Sequence, residues 1–549
     1  MERRAIVAAV LIAALLLLYQ VLFPSAPAPP PQEESPSEGK SLPAPVPPPS
    51  PPPPPKTTRA APVPQRTAAV ETPLYRAQVG SDGGRLLEWL LRYRGDKPMV
   101  VPGSLGSKGL SLRRPQAGTE PLAFELKEDR LVLGAERPRG ELVLVGEDSF
   151  GMRVTETLRF EAQDYRLEIQ LKLENRHSVP QAPEVLLAWT AQQKWPQGDA
   201  EKFQGQRPTR VVRLGSAGLE RQAIEEISDA TVDGTWIGLE SEWYIAVLIP
   251  RSPGFKLVTT KGADGQAEVA LKAALPMLGP GQSWEGRAQV YVGPKEYDRL
   301  RALGVGLEQT IHFGDFLYIP FLPMEWVCVP ILWLMNFFYR YIPNYGIAII
   351  LLTVITKIIF YPLTLKSMAS MKGMQTIQPQ VNAIRAKYKG DPQRLQRETL
   401  ELYRKHRINP MGGCLPMLIQ IPIFYALYVV FSLSVELQNA VFLCFGRLFG
   451  MAIWICDLAQ QDPTYVLPIL MGASMFVQQK MTPAVGDPRQ AKMMLFMPVI
   501  FTFMFLNLPS GLVLYWFVSN VLQILQQYYM NVGTKPKGGP KQVKEGKRP

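Results

Sequence analysis

Between Asn344 and Tyr529 the chain passes through five long apolar stretches, at 344–365, 414–435, 465–480, 492–507 and 511–529. Such runs read as helices that cross hydrocarbon, where a backbone can satisfy its polar groups only within the same helix. A sixth run, Ala5 to Phe23, carries no charge and spans roughly 28 Å at 1.5 Å per residue, close to the hydrocarbon thickness. A cleaved signal peptide is the rival reading, but the run is long for that role. The one A-x-A option, Ala26-Pro27-Ala28, is followed by Pro29. An uncleaved signal-anchor at 1–23 is therefore expected, with Arg3 and Arg4 on the cytoplasmic side. The expected fold is a polytopic α-helical membrane protein, a five-helix core plus this anchor, carrying a large all-β domain between them.

Residues 24–66 are dominated by proline, including the run Pro51 to Pro55. They read as an extended polyproline-II spacer, a stiff tether lifting the next domain off the membrane. Within 67–310 apolar and polar residues alternate. Tyr165 to Leu173 keeps a strict period of two, Thr155–Phe160 and Glu268–Leu271 follow it, and Ala288–Val292 is looser. This is the pattern of half-buried antiparallel strands, and Ser81-Asp-Gly-Gly84 and Gly262-Ala-Asp-Gly265 are turn signals between them. A large β-sandwich is expected. It shows no nucleophile elbow or phosphate loop, and Glu225 and Glu226 read as solvated surface. The three histidines and four cysteines have no zinc or thioredoxin spacing, so no catalytic residue, metal or cofactor is assigned.

Loop charges give the helices a direction. Segment 366–411 carries Lys366, Lys372, Arg385, Lys387, Lys389, Arg394, Arg397, Arg404, Lys405 and Arg407 against Asp391, Glu398 and Glu401. It is expected in the cytoplasm. The loop Glu436 to Asp462 has a single basic residue, Arg447, and reads as outside. Lys480, Arg489 and Lys492 mark the next loop as inside, Pro509-Ser510 is an outside turn, and the basic tail 531–549 returns inside. The β domain then lies outside. The net charge of +12 invites a nucleic-acid partner, but topology accounts for most of it. Residues 311–343 include an aromatic-rich stretch, Met324 to Tyr339, expected as a helix in the membrane interface. Cys444 and Cys456 share the outside loop; their pairing is left open, with two free thiols the favoured state.

Lys357 stands inside the 344–365 span, where a charge costs about 2.5–3.5 kcal/mol. It either snorkels to the interface or faces a wet cavity. Polar company favours the cavity. Thr353 is one helical turn away on the same face, and Thr356 is expected to point elsewhere. Gln420, Ser432, Gln478, Gln479, Thr502, Ser519, Asn520 and Gln523 come from other spans. The middle of these spans holds no acid, which a proton relay or cation-coupled transporter would want. In the cytoplasmic segment Ile377, Val381, Ile384 and Tyr388 follow helical spacing, and Gly390-Asp391-Pro392 breaks a helical hairpin into two arms. Met368, Met371 and Met374 form a stripe suited to packing or to apolar peptides.

Several stretches in order complete the picture: Tyr361-Pro-Leu-Thr364, Gln378-Pro379, Asn409-Pro-Met-Gly-Gly-Cys-Leu-Pro416, Gln420-Ile-Pro-Ile-Phe424, Gln461-Asp-Pro463, Leu467-Pro-Ile-Leu-Met-Gly472, Gln479-Lys-Met481, Phe496-Met-Pro498 and Pro509-Ser-Gly-Leu512. By these the chain resembles the YidC membrane-protein insertases, in the long form with a periplasmic domain. The resemblance implies an inner-membrane protein with a β-supersandwich outside. It also implies a hydrophilic groove open to cytoplasm and lipid, and a non-enzymatic role in inserting and folding new membrane proteins. The family's groove cation is usually arginine, and the matching position here is Lys357, which keeps the charge without the bidentate fork. Thr353 and Gln420 match groove-lining positions, and Tyr515 and Trp516 fall where the family meets incoming segments. Met368, Met371, Met374, Arg385 and Lys387 are the expected substrate or ribosome contacts of the hairpin. Implied partners are nascent membrane proteins, the Sec translocon (SecYEG and SecDF), the ribosome, the signal-recognition-particle receptor and membrane lipids. The rivals are a solute transporter, for which an internal repeat is missing, and a glycan-binding β domain.

Overall fold

In the computed structural model the described residues are 66–100, 108–114, 122–192, 208–262, 266–313, 324–406, 408, 415–448, 451–481 and 488–532. The anchor expected at 1–23, the proline-rich linker through residue 65, residues 409–414 and the tail from 533 lie outside them.

Alternation becomes sheet where it was read. Strand Arg166–Asn175 alternates buried and open side chains along its length, between Met152–Glu161 and Ser283–Pro294. These three are central in a nine-stranded sheet that runs from Gly218–Ala223 at one edge to Phe124–Leu126 at the other. A five-stranded sheet (Ala230–Val232, Phe255–Lys261, Gln266–Ala274, Glu184–Gln192, Lys108–Arg113) and a second one containing Tyr75–Gly80 and Leu86–Arg92 share its hydrophobic core. Trp89, Trp189 and Trp236 are buried in that core, with Tyr75 stacked on Trp89 at 4.3 Å. Ala288–Val292 alternates loosely because the second half of its strand is covered on both faces. Ser81–Gly84 makes the turn between two strands, with Gly83 and Gly84 at φ +70° and +59°. Glu225 and Glu226 close an exposed single turn of 3-10 helix.

One core residue is out of character. Glu156, on strand Met152–Glu161, is wholly buried, and neither carboxylate oxygen has a hydrogen-bond partner. A side chain on Gly84 would collide with its Oε2, so the glycine turn leaves room for the acid.

After a short helix α1 (Tyr297–Ala302) the chain becomes helical: α2 Glu325–Tyr341, α3 Tyr345–Thr376, α4 Gln378–Lys387, α5 Pro392–Lys405, α6 Leu415–Leu433, α7 Val466–Met481, α8 Pro488–Phe505 and α9 Ser510–Val532. Among the described residues α3 alone is both long and apolar enough to qualify as a span by itself; Gln420–Leu433 and Leu495–Phe505 are shorter apolar stretches. α7 is only 16 residues long, and α9, at 23 residues, is diluted by its serine, asparagine and glutamine residues. α2 exposes Trp326, Trp333, Phe337 and Tyr341, as an interfacial helix would.

Two local outcomes differ from expectation. α3 does not stop near Leu365 but runs on to Thr376, because nothing after Pro362 breaks it; the hairpin arms are the separate helices α4 and α5. Asp391 caps α5 by accepting from the Arg394 amide at 3.0 Å, with Pro392 at the first position. Cys444 and Cys456 are not free thiols. They form a disulfide across a two-stranded hairpin, Leu443–Leu448 with Met451–Ile455, Cα atoms 4.7 Å apart.

The β domain is also seated on the helices. Arg94 occupies the turn between Leu86–Arg92 and Asp96–Val100, at φ +47°. Its guanidinium donates to the carbonyls of Glu436 and Gln438, just past α6. It lies 4.9 Å from the ring centre of Tyr345 and 5.6 Å from that of Tyr339, at the α2–α3 corner. Asn439 Nδ2 donates to the Arg94 carbonyl at 3.3 Å, and the Tyr244 hydroxyl donates to Gln438 Oε1. The Tyr297 hydroxyl donates to Glu325 at 3.2 Å. The domain therefore rests directly on the helical part of the chain.

Candidate functional site

α3 begins with Asn344, whose side chain accepts from the Ile347 amide at 3.2 Å and so ends the preceding turn. Twelve residues into the helix Lys357 points at α9, donating to Gln523 Oε1 at 3.1 Å. That partner is a neutral amide. Among the described residues no carboxylate pairs with Lys357, so the ammonium is held by a dipole and not neutralised. An ammonium in that state is costly in a dry interior and needs water or an incoming anion.

The neighbouring polar groups come from three helices. Gln420 Nε2 of α6 donates to the Tyr515 hydroxyl of α9 at 3.1 Å. Tyr515 also lies beside Thr356 of α3. Lys357, Gln523, Thr356, Tyr515 and Gln420 form one polar cluster shared by α3, α6 and α9, and the space beside it is the candidate hollow. Thr353 does not join it. That side chain is fully buried and its hydroxyl donates to the Ile349 carbonyl of its own helix at 2.7 Å. Thr356, set aside on helical spacing, lies beside Tyr515, while its hydroxyl donates to the Thr353 carbonyl of its own helix at 2.8 Å. On a helix packed on several sides both faces meet neighbours, and spacing alone does not say which neighbour is polar.

Trp516 turns the other way. Its ring packs edge-on against Phe424 of α6 at 4.7 Å and Phe505 of α8 at 5.1 Å, and over Phe501 at 6.3 Å. This aromatic cluster is an apolar wall beside the polar hollow. Ile421, Phe496, Val499, Ile500 and Phe503 continue it outward as exposed apolar surface on α6 and α8. Two further polar side chains of α9 tie it to α7: Asn520 Nδ2 donates to Ser474 at 3.1 Å, and Gln527 Nε2 to the Met481 carbonyl at 2.7 Å. A side chain on Gly472 would meet the Thr502 hydroxyl, so that glycine sets the close approach of α7 and α8.

The cytoplasmic candidates separate. Met374 is buried at the foot of α3, whereas Met368 and Met371 are half-buried on its extension. Arg385 is half-buried on α4 and Lys387 is exposed. Only the half-open methionines and the basic residues remain available for an apolar or anionic partner.

Comparison with known proteins adds an independent line. The family described as 60Kd inner membrane protein matches residues 337–537, and the YidC periplasmic domain family matches 67–334. Membrane protein insertase YidC of Syntrophus aciditrophicus is 38% identical over 499 residues, 87% of either chain. That of Geobacter metallireducens is 36% identical over 553 residues, covering 97% of this chain and 98% of its own. A solved active YidC insertase aligns at 20% identity and TM-score 0.37, over 86% of this chain and 93% of that one.

Proposed function

The chain belongs to the YidC family of membrane protein insertases, and on that premise we propose that its Lys357 hollow is the wet groove that takes the polar tail of an incoming segment. The family's activity is the insertion of membrane proteins, its clients are nascent membrane proteins, and the chain is an inner-membrane protein with a periplasmic β-rich domain and a helical core. The single observation that carries the groove reading is the ammonium of Lys357 bonded to neutral Gln523 among hydroxyl and amide groups from three helices.

In this reading the core crosses the membrane five times, through α3, α6, α7, α8 and α9, with an N-terminal anchor before it. Both termini and the α4–α5 hairpin are cytoplasmic. The hairpin, through Arg385, Lys387, Met368 and Met371, receives an apolar segment from the ribosome or its targeting receptor. Lys357 then draws in and hydrates the segment's short acidic tail, which lowers the cost of carrying it through hydrocarbon. The apolar part leaves past Trp516 and Phe424 onto the exposed faces of α6 and α8. Groups presented this way need no covalent step. The chain acts alone or together with the Sec translocon.

Photocrosslinkers at Gln420, Thr356 and Trp516 are expected to capture a stalled nascent membrane segment, with adducts from Gln420 and Thr356 to its polar tail and from Trp516 to its apolar span. Capture by surface positions alone, with none of these three reacting, would rule the groove out. Deleting residues 78–300 is expected to leave most insertion of a small single-span client intact in cells depleted of other insertase. If activity disappears while the shortened protein still accumulates in the membrane, the β domain takes part in insertion itself.

A further inference from the structure

The loop between α6 and α7 carries a feature that insertion through the groove does not use. From Val441 to Cys456 it reads Val-Phe-Leu-Cys-Phe-Gly-Arg-Leu-Phe-Gly-Met-Ala-Ile-Trp-Ile-Cys, with Arg447 its one charged residue. This stretch forms the hairpin whose strands are paired Leu443 to Ile455 and Leu448 to Met451 and stapled by Cys444–Cys456. A two-stranded ribbon with no third strand is marginal in water, and an apolar one is an aggregation hazard.

Its exposure is apolar. Phe445 is 67% exposed and Val441 51%, and the Phe445 ring stacks on Trp454 at 6.0 Å and 15°. Its base is fixed among the outer ends of the helices. Phe442 presses on Gly346, the second residue of α3. The Leu458 carbonyl accepts from the Gly511 amide at 2.9 Å and the Gln460 carbonyl from the Ser510 amide at 2.7 Å, both at the first turn of α9. The Ala440 carbonyl accepts from Leu458 at 3.1 Å and closes the base. The hairpin thus leaves the protein at the level where α3 and α9 begin, which is where hydrocarbon gives way to headgroups.

We propose that the stapled hairpin 441–456 is a lipid anchor whose exposed apolar side lies in the headgroup–acyl boundary of the outer leaflet. Three physical points select lipid as the occupant. The hairpin is tied to the first turns of α3 and α9, the ends at which the spanning reading puts the membrane boundary. Exposed aromatic side chains such as Phe445, stacked on Trp454, are what the headgroup–acyl boundary accepts. The ribbon's outer edges still present unpaired backbone groups, which headgroups and water can satisfy and the hydrocarbon centre cannot. The disulfide supplies the strand pairing that a neighbouring sheet would otherwise give, so the ribbon keeps its shape without protein cover.

This rests on the spanning reading of α3 to α9, and the test separates the two. The full chain is reconstituted into phosphatidylethanolamine–phosphatidylglycerol vesicles with a photocrosslinker replacing one exposed phenylalanine at a time. Phe445→p-benzoylphenylalanine probes the hairpin, Phe503→p-benzoylphenylalanine the exposed face of α8, and Phe150→p-benzoylphenylalanine the β domain; all three residues are exposed, so folding is not at stake. After irradiation, mass spectrometry is expected to show phospholipid adducts at 445 and 503, with yield at 445 at least about fivefold above that at 150. Lipid adducts at 503 without any at 445 would overturn the anchor and leave the spans standing. Absence at both positions would overturn the spans. Crosslinking of 445 to a second copy of the chain instead of lipid would also overturn the anchor, in favour of a protein interface.

Discussion

Lys357→Glu is expected to lower insertion of a single-span client with an acidic tail by at least about tenfold, measured by protease accessibility of the tail in cells depleted of other insertase. Two unit charges about 4 Å apart exchange about 4 kcal/mol at an effective dielectric near 20, and about a third of that is already a factor of ten. Lys357→Ala removes the attraction without adding repulsion, so its loss is expected to be smaller. Lys357→Arg keeps the charge and adds donors, so it is expected to retain activity. A client with a neutral tail should respond far less than the acidic one, because only the charge term has changed. Normal insertion of the acidic-tailed client by both Lys357→Ala and Lys357→Glu would remove the groove cation from the mechanism.

A second large effect is expected from Glu156, through pH. Burial pushes its carboxyl from an ordinary 4.5 up to about 8. The folded domain therefore holds a proton at neutral pH that the unfolded chain has released. Linkage fixes the sign: the contribution is fully present below about 4.5, is lost steadily as pH rises toward 8, and is constant above that. Each unit of displacement corresponds to about 1.4 kcal/mol, so the loss amounts to several kcal/mol across the window. Glu156→Gln keeps the shape and cannot ionise. Thermal unfolding of the purified protein, followed through the β-sheet signal between pH 5 and 9, is expected to show the variant less pH-dependent and more stable than the natural chain at pH 8. Identical pH profiles for the two would show that Glu156 gains a partner or water and stays charged in the fold.

Much of the architecture was legible because its cause is local. Period-two alternation marks any strand with one face buried, as in Arg166–Asn175, and it blurs only where both faces are covered, as in the second half of Ser283–Pro294. A lysine amid apolar residues draws notice at any range, and Gly390-Asp391-Pro392 breaks a helix by its own stereochemistry. What escaped depends on distant chain. The Arg94 seat brings together residues more than 340 positions apart, and in sequence Tyr93-Arg94-Gly95 is an ordinary turn. Thr353 is buried and Thr356 lies beside Tyr515 because packing around α3, not spacing along it, decides each side chain's neighbours. The disulfide did leave a signal. Cys444 and Cys456 flank Phe449-Gly450 almost symmetrically within an apolar run, which is the layout of a stapled hairpin.

The Arg94 seat has a mechanical side. Tyr345 sits in the first turn of α3, and Lys357 is about 18 Å further along the same rigid rod. Arg94 grips that turn, the end of α2 and the carbonyls beyond α6 at one point. The β domain is therefore a handle on the helix bundle. The β domain and the start of the helix that carries Lys357 are thus held at one shared joint, which also takes in the end of α2 and the chain beyond α6.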